Sequence, residues 1–413
     1  MRYLFTLAIL ILVLSPIHAG VVNVRDLGAA GDGKADDTAA FAKALEKAVN
    51  DRDIQQVLVP AGDYRITRTL SMRFPKAVTI RGEGWSGLGY KPGATNIYWA
   101  GEEGGTLIET IAAGGVTLEG MNLVGIDPAA EGDAADKPRA GVLYQSVSVR
   151  GGGNMVNRIG SVGFFKAGTG IAMARERNEI CNADYLLEAI MFRDLDNGFK
   201  VANDQGVDYL FNFIFALNVG TVLNFERGGN LMVNNAQMTN CGVFLNIEGG
   251  GRNTGTYVCN NIRVERGDGG RVGRAQLLRS YPRWRQANVI FTGFDDCQWN
   301  WKSNRTAARS TPLCDIGPGT LVTFQSSIFN SPAARLTGED DAPASAIFRG
   351  CSFSYVTPGQ AVSANGHGHF KIVNPTDSRM KPLPDVIKWP EEKTIVVPAG
   401  QEHTPELPPA PEE

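Results

Sequence analysis

Three stretches of this chain lie on top of one another. Tyr185–Phe192 reads "YLLEAIMF", Tyr209–Ala216 reads "YLFNFIFA" and Leu231–Met238 reads "LMVNNAQM". In each, an apolar anchor (Leu187, Phe211, Val233) is followed by four residues and then a second apolar residue (Phe192, Ala216, Met238). The anchors are spaced 24 and 22 residues apart. The same spacing occurs at Ile80/Trp85, Leu118/Leu123, Phe294/Trp299, Phe324/Phe329 and Phe348/Phe353. Strand alternation puts the residue two before each anchor (Val78, Val116, Tyr185, Tyr209, Leu231, Val322) on the same inward face. A two-residue corner follows the anchor. Its second residue is Gly82, Gly120, Asn235 or Gly350 in half of the repeats, residue types that tolerate a left-handed backbone. Twelve residues after three of the anchors comes a third short strand: Phe199-Lys-Val201, Leu223-Asn-Phe225 and Leu245-Asn-Ile247. Three short strands per turn of about 22–25 residues describe an all-β solenoid, a parallel β-helix of about ten coils stacked roughly 4.8 Å apart. A β-propeller would need antiparallel hairpins with two-residue turns, and these corners join strands head to tail.

A solenoid must cover its open ends. "GAAGDGKADDTAAFAKALEKAV", Gly28 to Val49, supplies one cover. Asp36, Asp37 and Thr38 offer capping side chains, and Phe41, Ala44, Leu45 and Ala48 share one helical face, which predicts an amphipathic helix over Asp37–Val49. Gly31-Asp-Gly33 lacks the third glycine of a dinucleotide fingerprint, so the motif reports on fold rather than on a phosphate site. The predicted organisation is a signal peptide over 1–19, with Arg2 before an apolar run and Ala19 at the cleavage point, then a β-helix domain over 20–378 with its cap in 20–75. A tail over 379–413 with eight prolines is expected to be partly disordered. The leader implies export, to the extracellular space or periplasm, and no later stretch is long and apolar enough to span a membrane.

"VNVRDLGAAGDGKADDTAAFAKAL", "VLVPAGDYRIT" and "VTIRGEG", within Val22–Gly84, resemble the amino-terminal signature of the pectate-lyase-like superfamily, and more narrowly its rhamnogalacturonase/epimerase-type pectate lyase domain. The resemblance implies a right-handed parallel β-helix that acts on or binds polysaccharide. The polygalacturonase-type hydrolases of that superfamily carry Asn-Thr-Asp, then Asp-Asp, then Gly-His-Gly. This chain has Asp295-Asp296 and Gly366-His367-Gly368, about 70 residues apart and with no Asn-Thr-Asp before them. Asp295 is expected at a corner, in the column of Gln325 and Arg349.

The formal net charge of −3 excludes a general nucleic-acid binder. Six cysteines show no zinc spacing. The chemistry is sought on the third strand. Lys200, Asn224 and Asn246 share one outward column, and Glu226 and Glu248 share the next, one coil apart. Paired carboxylates are what glycoside hydrolysis requires, and on neighbouring coils they would repel unless a proton or cation intervened. "RVERGDGGRVGRAQLLRSYPRWRQ", Arg263 to Gln286, mixes arginines with Tyr281 and Trp284, residue types that grip carboxylates and stack on sugar rings. The predicted site is therefore Glu226, Glu248 and Arg252 for catalysis, with Lys200, Asn224, Asn246, Arg263, Tyr281 and Trp284 for an anionic polysaccharide. Asp204 and Asp208 are candidate Ca²⁺ ligands. The expected activity is that of a lyase or a glycoside hydrolase, and the alternative is a non-catalytic, adhesin-like carbohydrate-binding protein. Leu186, Met191, Leu210, Phe215 and Met232 fall in outward columns, an apolar patch that calls for a covering loop or a second copy of the chain in a homo-oligomer.

Overall fold

The computed structural model of the chain describes residues 20–73, 77–86, 94–129, 140–248, 255–266, 275–282, 286–298, 312–354, 358–377, 379–388 and 395–397. The expected leader, Arg252, Trp284 and residues 398–413 lie outside the described residues.

The architecture is the predicted one, a parallel β-helix with an amino-terminal capping helix. One parallel register runs unbroken through the anchors Val22, Val57, Ile80, Leu118, Ile159, Leu187, Phe211, Val233, Cys259, Phe291, Phe324, Phe348 and Ile372, thirteen rungs in all. All thirteen side chains are buried. The third-strand column runs through eleven rungs, Leu70 to Val362. In mid-molecule the three strands of a coil merge into continuous extended segments, Asn154–Met173, Asn182–Val201 and Val207–Phe225.

The corners explain why the repeat is tight. Their second residue has positive φ at Gly120 (72°), Asn235 (64°) and Gly350 (58°), and also at Phe213 (71°), where an aromatic side chain holds a conformation that costs it energy. Gly293 (φ 68°) occupies this place in its own coil. That corrects the reading of Asp295. The anchor there is Phe291, not Phe294, and Thr292 is the residue paired with Gln325. Asp295 lies beyond the corner, paired with Arg263 and Ile328. Two buried phenylalanines three residues apart made the two registers look alike. Alternation then sends Asp296 inward: it is fully buried, and its Oδ2 accepts bonds from Asn330 N (3.0 Å) and Ser331 Oγ (2.6 Å). The two aspartates therefore face opposite sides of the strand.

The capping helix spans Thr38–Asn50 and buries Ala40, Phe41, Ala44, Leu45 and Ala48. Phe41 meets the Tyr64 ring edge-on at 5.3 Å. Asp37 stands at the N-cap but makes no capping bond. Its carboxylate instead accepts from Ala30 N (2.6 Å) and Gly31 N (3.3 Å), holding the glycine loop against the helix start. Asp36 accepts from Thr38 N (3.0 Å). At the other end, Asp385–Lys388 pairs antiparallel with Gly368–Val373, and Ile395–Val397 pairs antiparallel with Asp385–Lys388, so a hairpin from the expected tail covers the last parallel edge.

The outward apolar residues divide. Met191 is buried in a cluster outside the solenoid with Tyr98, Val124, Ile126 and Phe165, against which Trp85 and Phe215 pack. Its cover comes from the chain itself. Leu186, Leu210 and Met232 form a stacked outward column, with Met232 43% exposed.

Truncating Phe41 to alanine should lower the free energy of unfolding by about 3–5 kcal/mol, the range for a buried aromatic. Urea titration measures it, and a loss below about 1 kcal/mol would show that the helix does not plug the first coil.

Candidate functional site

In each third strand two inward residues, mostly apolar, flank one outward residue, and the register lines those outward residues up. Lys200, Asn224, Asn246, Arg279, Asp315 and Arg335 are successive partners in one column. The next outward positions stack beside it: Glu226 N, Glu248 N, Tyr281 N and Gly317 N each donate to a carbonyl of the preceding coil, at 3.0, 2.9, 2.8 and 2.7 Å. The predicted residues Lys200, Asn224, Asn246, Glu226, Glu248 and Tyr281 are thus brought together on one face. Arg263 is not among them. It is exposed on the second strand, beside Glu265 (3.2 Å), Cys297 Sγ (3.1 Å) and Asp295 (4.0 Å).

An ordered hydrogen-bond relay runs along the column. Arg279 Nε donates to Asn246 Oδ1 (2.7 Å), Asn246 Nδ2 to Asn224 Oδ1 (2.9 Å) and Asn224 Nδ2 to Asn197 Oδ1 (3.0 Å). All three bonds point the same way, so each amide polarises the next, with the guanidinium charge at the head. Asn246 is 2% exposed despite its outward position, which leaves its amide dependent on these partners.

Every carboxylate of the face has a base within reach. Lys200 Nζ stands 2.7 Å from Glu226 Oε1, and Arg279 Nη2 2.6 Å from Glu248 Oε1. Arg335 forks onto Asp315 through Nε (3.0 Å) and Nη2 (2.5 Å). The two glutamates do occupy neighbouring coils, but each has its own cation rather than a shared one. Half-exposed pairs contribute at most about 1 kcal/mol each, so this array matters more for positioning than for stability. Tyr281 completes it. Burial first, and then the neighbouring Asp315 carboxylate, raise the phenol's pKa and keep it protonated. Gly317 on the next coil makes the ring position available, because a Cβ there would stand 2.8 Å from Tyr281 Cε1 and nearer still to Cδ1.

The remaining candidates lie apart from this array. Asp204 is held by Arg227 Nη1 (2.7 Å) and Arg177 Nε (3.8 Å), and Asp208 by Asn230 Nδ2 (3.1 Å). Among the described residues no three His, Cys, Asp or Glu side chains gather as metal ligands would. His367 pairs with Asp340. His369 has its pKa lowered by burial first and then by His367 and Lys388, and its buried Nδ1 has no partner among the described residues. Burial pushes the Cys241 thiol up to about 12 and Cys351 to about 11, which makes both poor nucleophiles.

Sequence reasoning missed Arg279, Asp315, Arg335, Asn197 and Gly317. The signal was there, since Leu278-Arg-Ser280, Cys314-Asp-Ile316 and Ala334-Arg-Leu336 repeat the pattern of Phe199-Lys-Val201. Their distances from the anchors Cys259, Phe291 and Phe324 are 19, 23 and 10 residues instead of twelve, so a fixed spacing passes over them.

The fold and this polar face define a parallel β-helix protein with a charged face along its third strands. Residues 21–104 match the family described as rhamnogalacturonase A/epimerase, pectate lyase-like. The amino-terminal part of the chain is therefore similar to pectate-lyase-like proteins. A 59-residue stretch is 41% identical to polygalacturonase ADPG1 of Arabidopsis thaliana, a match that spans 14% of this chain and 14% of that relative. Among solved structures, DFA-IIIase from Arthrobacter chlorophenolicus A6 in complex with GF2 superposes with a TM-score of 0.56 at 11% identity, covering 88% of this chain and 96% of that one. The same enzyme without its lid gives 0.54 at 13% identity, with 88% and 96% covered. Among the described residues no helix is long and apolar enough to cross a membrane.

Asn246→Leu should cost about 1–3 kcal/mol in urea titration, because Arg279 Nε and Asn224 Oδ1 lose their partners beneath the surface. Gln325→Leu, at an exposed position outside the relay, should stay within about 0.5 kcal/mol of wild type. Equal effects at the two sites would deny the relay a structural role.

Proposed function

We propose that the protein is an exported polysaccharide-active enzyme, a lyase or a glycoside hydrolase, that works on an acidic glycan such as a polyuronate along its third-strand face. The observation that carries this reading is the placement of Glu226 and Glu248 on adjacent coils of one polar face, each beside a base. Rungs roughly 4.8 Å apart bring two carboxylates near the separation of about 5–5.5 Å used in retaining hydrolysis, where one acts as acid and the other as nucleophile. In elimination, a base removes the proton next to the uronate carboxylate, those electrons form the new C=C bond, and the glycosidic C–O bond breaks. Guanidinium groups then offset the charge that develops on the carboxylate. Arg252, four residues after Glu248, is the candidate base for that route.

The case for an acidic substrate rests on composition. On the described face, bases and carboxylates offset one another in pairs. The stretches 249–254, 267–274, 283–285 and 299–311, which adjoin these strands in sequence, add eight basic residues against one acidic, together with three tryptophans. Arginine forks and indole rings are suited to carboxylated sugars. The rigid pairing of every carboxylate on the face also suits a second reading, a non-catalytic carbohydrate-binding surface.

A glycan panel separates these readings. Elimination yields an unsaturated, ultraviolet-absorbing product, hydrolysis yields only new reducing ends, and the binding protein leaves polymer length unchanged. On the substrate so found, Glu226→Gln and Glu248→Gln should each keep the fold and lower the rate by about 10²–10⁴-fold. Full activity in both variants would move the chemistry off this pair.

A further inference from the structure

The reading of the face as a site for acidic glycans leaves Tyr281, Asp315, Arg335 and Gly317 without a part in the reaction, and their arrangement is built rather than incidental. We propose that these four residues, with Arg279, form a sugar-binding subsite one to three coils beyond Glu248, which takes a pyranose ring carrying a carboxylate. The inference rests on the acidic-glycan reading and names where one such ring is held.

Gly317 sets where the Tyr281 ring can lie. Any side chain there would run into the Tyr281 ring, so glycine at this rung is what lets the phenol lie along the face. Beside the ring, Asp315, 7% exposed, is tied by two bonds to Arg335. A ring packed along its edge against the Gly317 backbone, beside a fixed Asp315–Arg335 pair, has less conformational freedom to lose when a ligand arrives, which favours stacking. The flanking cations have the matching spacing. Arg279 and Arg335 stand two rungs apart, about 10 Å, on either side of Asp315. Their side chains are 42% and 49% exposed. Each guanidinium carries five N–H donors, of which Arg279 directs Nε and Nη2 to Asn246 and Glu248, and Arg335 directs Nε and Nη2 to Asp315. The protein's own carboxylates orient both forks without using all of their donors. A sugar stacked on Tyr281 therefore has an oriented cation within reach of its substituents on either side.

Isothermal titration calorimetry of the full chain with trigalacturonate and with its carboxyl-reduced, neutral counterpart tests this. Wild type should bind trigalacturonate more tightly than the neutral trimer. Tyr281→Leu should weaken both about tenfold, the upper range for a lost aromatic contact. Arg335→Leu should weaken trigalacturonate alone and remove the preference. Gly317→Ala should resemble Tyr281→Leu. Because that alanine also approaches the backbone of Ser280, its melting temperature is checked, and the two side-chain variants carry the conclusion if it fails to fold. If wild type prefers trigalacturonate and both Tyr281→Leu and Arg335→Leu bind it unchanged, the subsite is overturned while the acidic-glycan reading stands. If wild type shows no preference or binds neither trimer, that reading falls and the subsite falls with it.

Discussion

Parallel hydrogen bonding between successive coils forces one side chain per coil into each vertical column, and every other feature of this protein follows from that register. Thirteen buried anchors from Val22 to Ile372 stack in this way. Where the column is aromatic, the rings lie nearly parallel, with Phe291–Phe324 at 5.2 Å and Phe324–Phe348 at 5.0 Å. A slip of one residue would turn each of these side chains outward at a cost of roughly 1.5–3 kcal/mol apiece, so the register is strongly specified wherever the interior is apolar. The left-handed corners serve the same end, turning the chain in two residues without disturbing the columns on either side.

The register that fills the core also writes the surface. Outward residues on adjacent coils stand about 5 Å apart, close enough that like charges repel and unlike charges pair. On the third-strand face that distance is used throughout: Glu226 and Glu248 would repel, and Lys200 and Arg279 relieve them, while the amide relay from Arg279 to Asn197 keeps the intervening polar groups oriented. A charged row of this kind is positioned by the whole stack rather than by one loop. That places the candidate chemistry on regular strands, where a site gains from being held in advance.

Much of this was legible from sequence because columns of apolar residues leave a period that survives without any structure. The capping helix was predicted to within a residue at each end, and the third-strand outward column was found wherever its distance from the anchor stayed at thirteen. Reading stopped where loop length changed: Arg279, Asp315 and Arg335 carry the same inward–outward–inward signature but sit 20, 24 and 11 residues from their anchors, where Lys200, Asn224 and Asn246 each sit thirteen. The misreading at Phe294 has a related cause. Two buried phenylalanines three residues apart offer two equally apolar registers, and only backbone pairing distinguishes them. Asp37 shows a different limit. Its residue type suggested a helix cap, but a nearer pair of backbone N–H groups in the glycine loop took the carboxylate, a competition that spacing alone does not decide.

The central claim is that the third-strand face, from Lys200 to Arg335, is the working surface of the solenoid. A crystal structure of the full chain soaked with trigalacturonate tests it most directly. The account predicts sugar density lying along that face, with one ring against Tyr281 and another beside Glu226 and Glu248. Density on the second-strand face around Arg263 and Asp295, with the Tyr281 face bare, would contradict it.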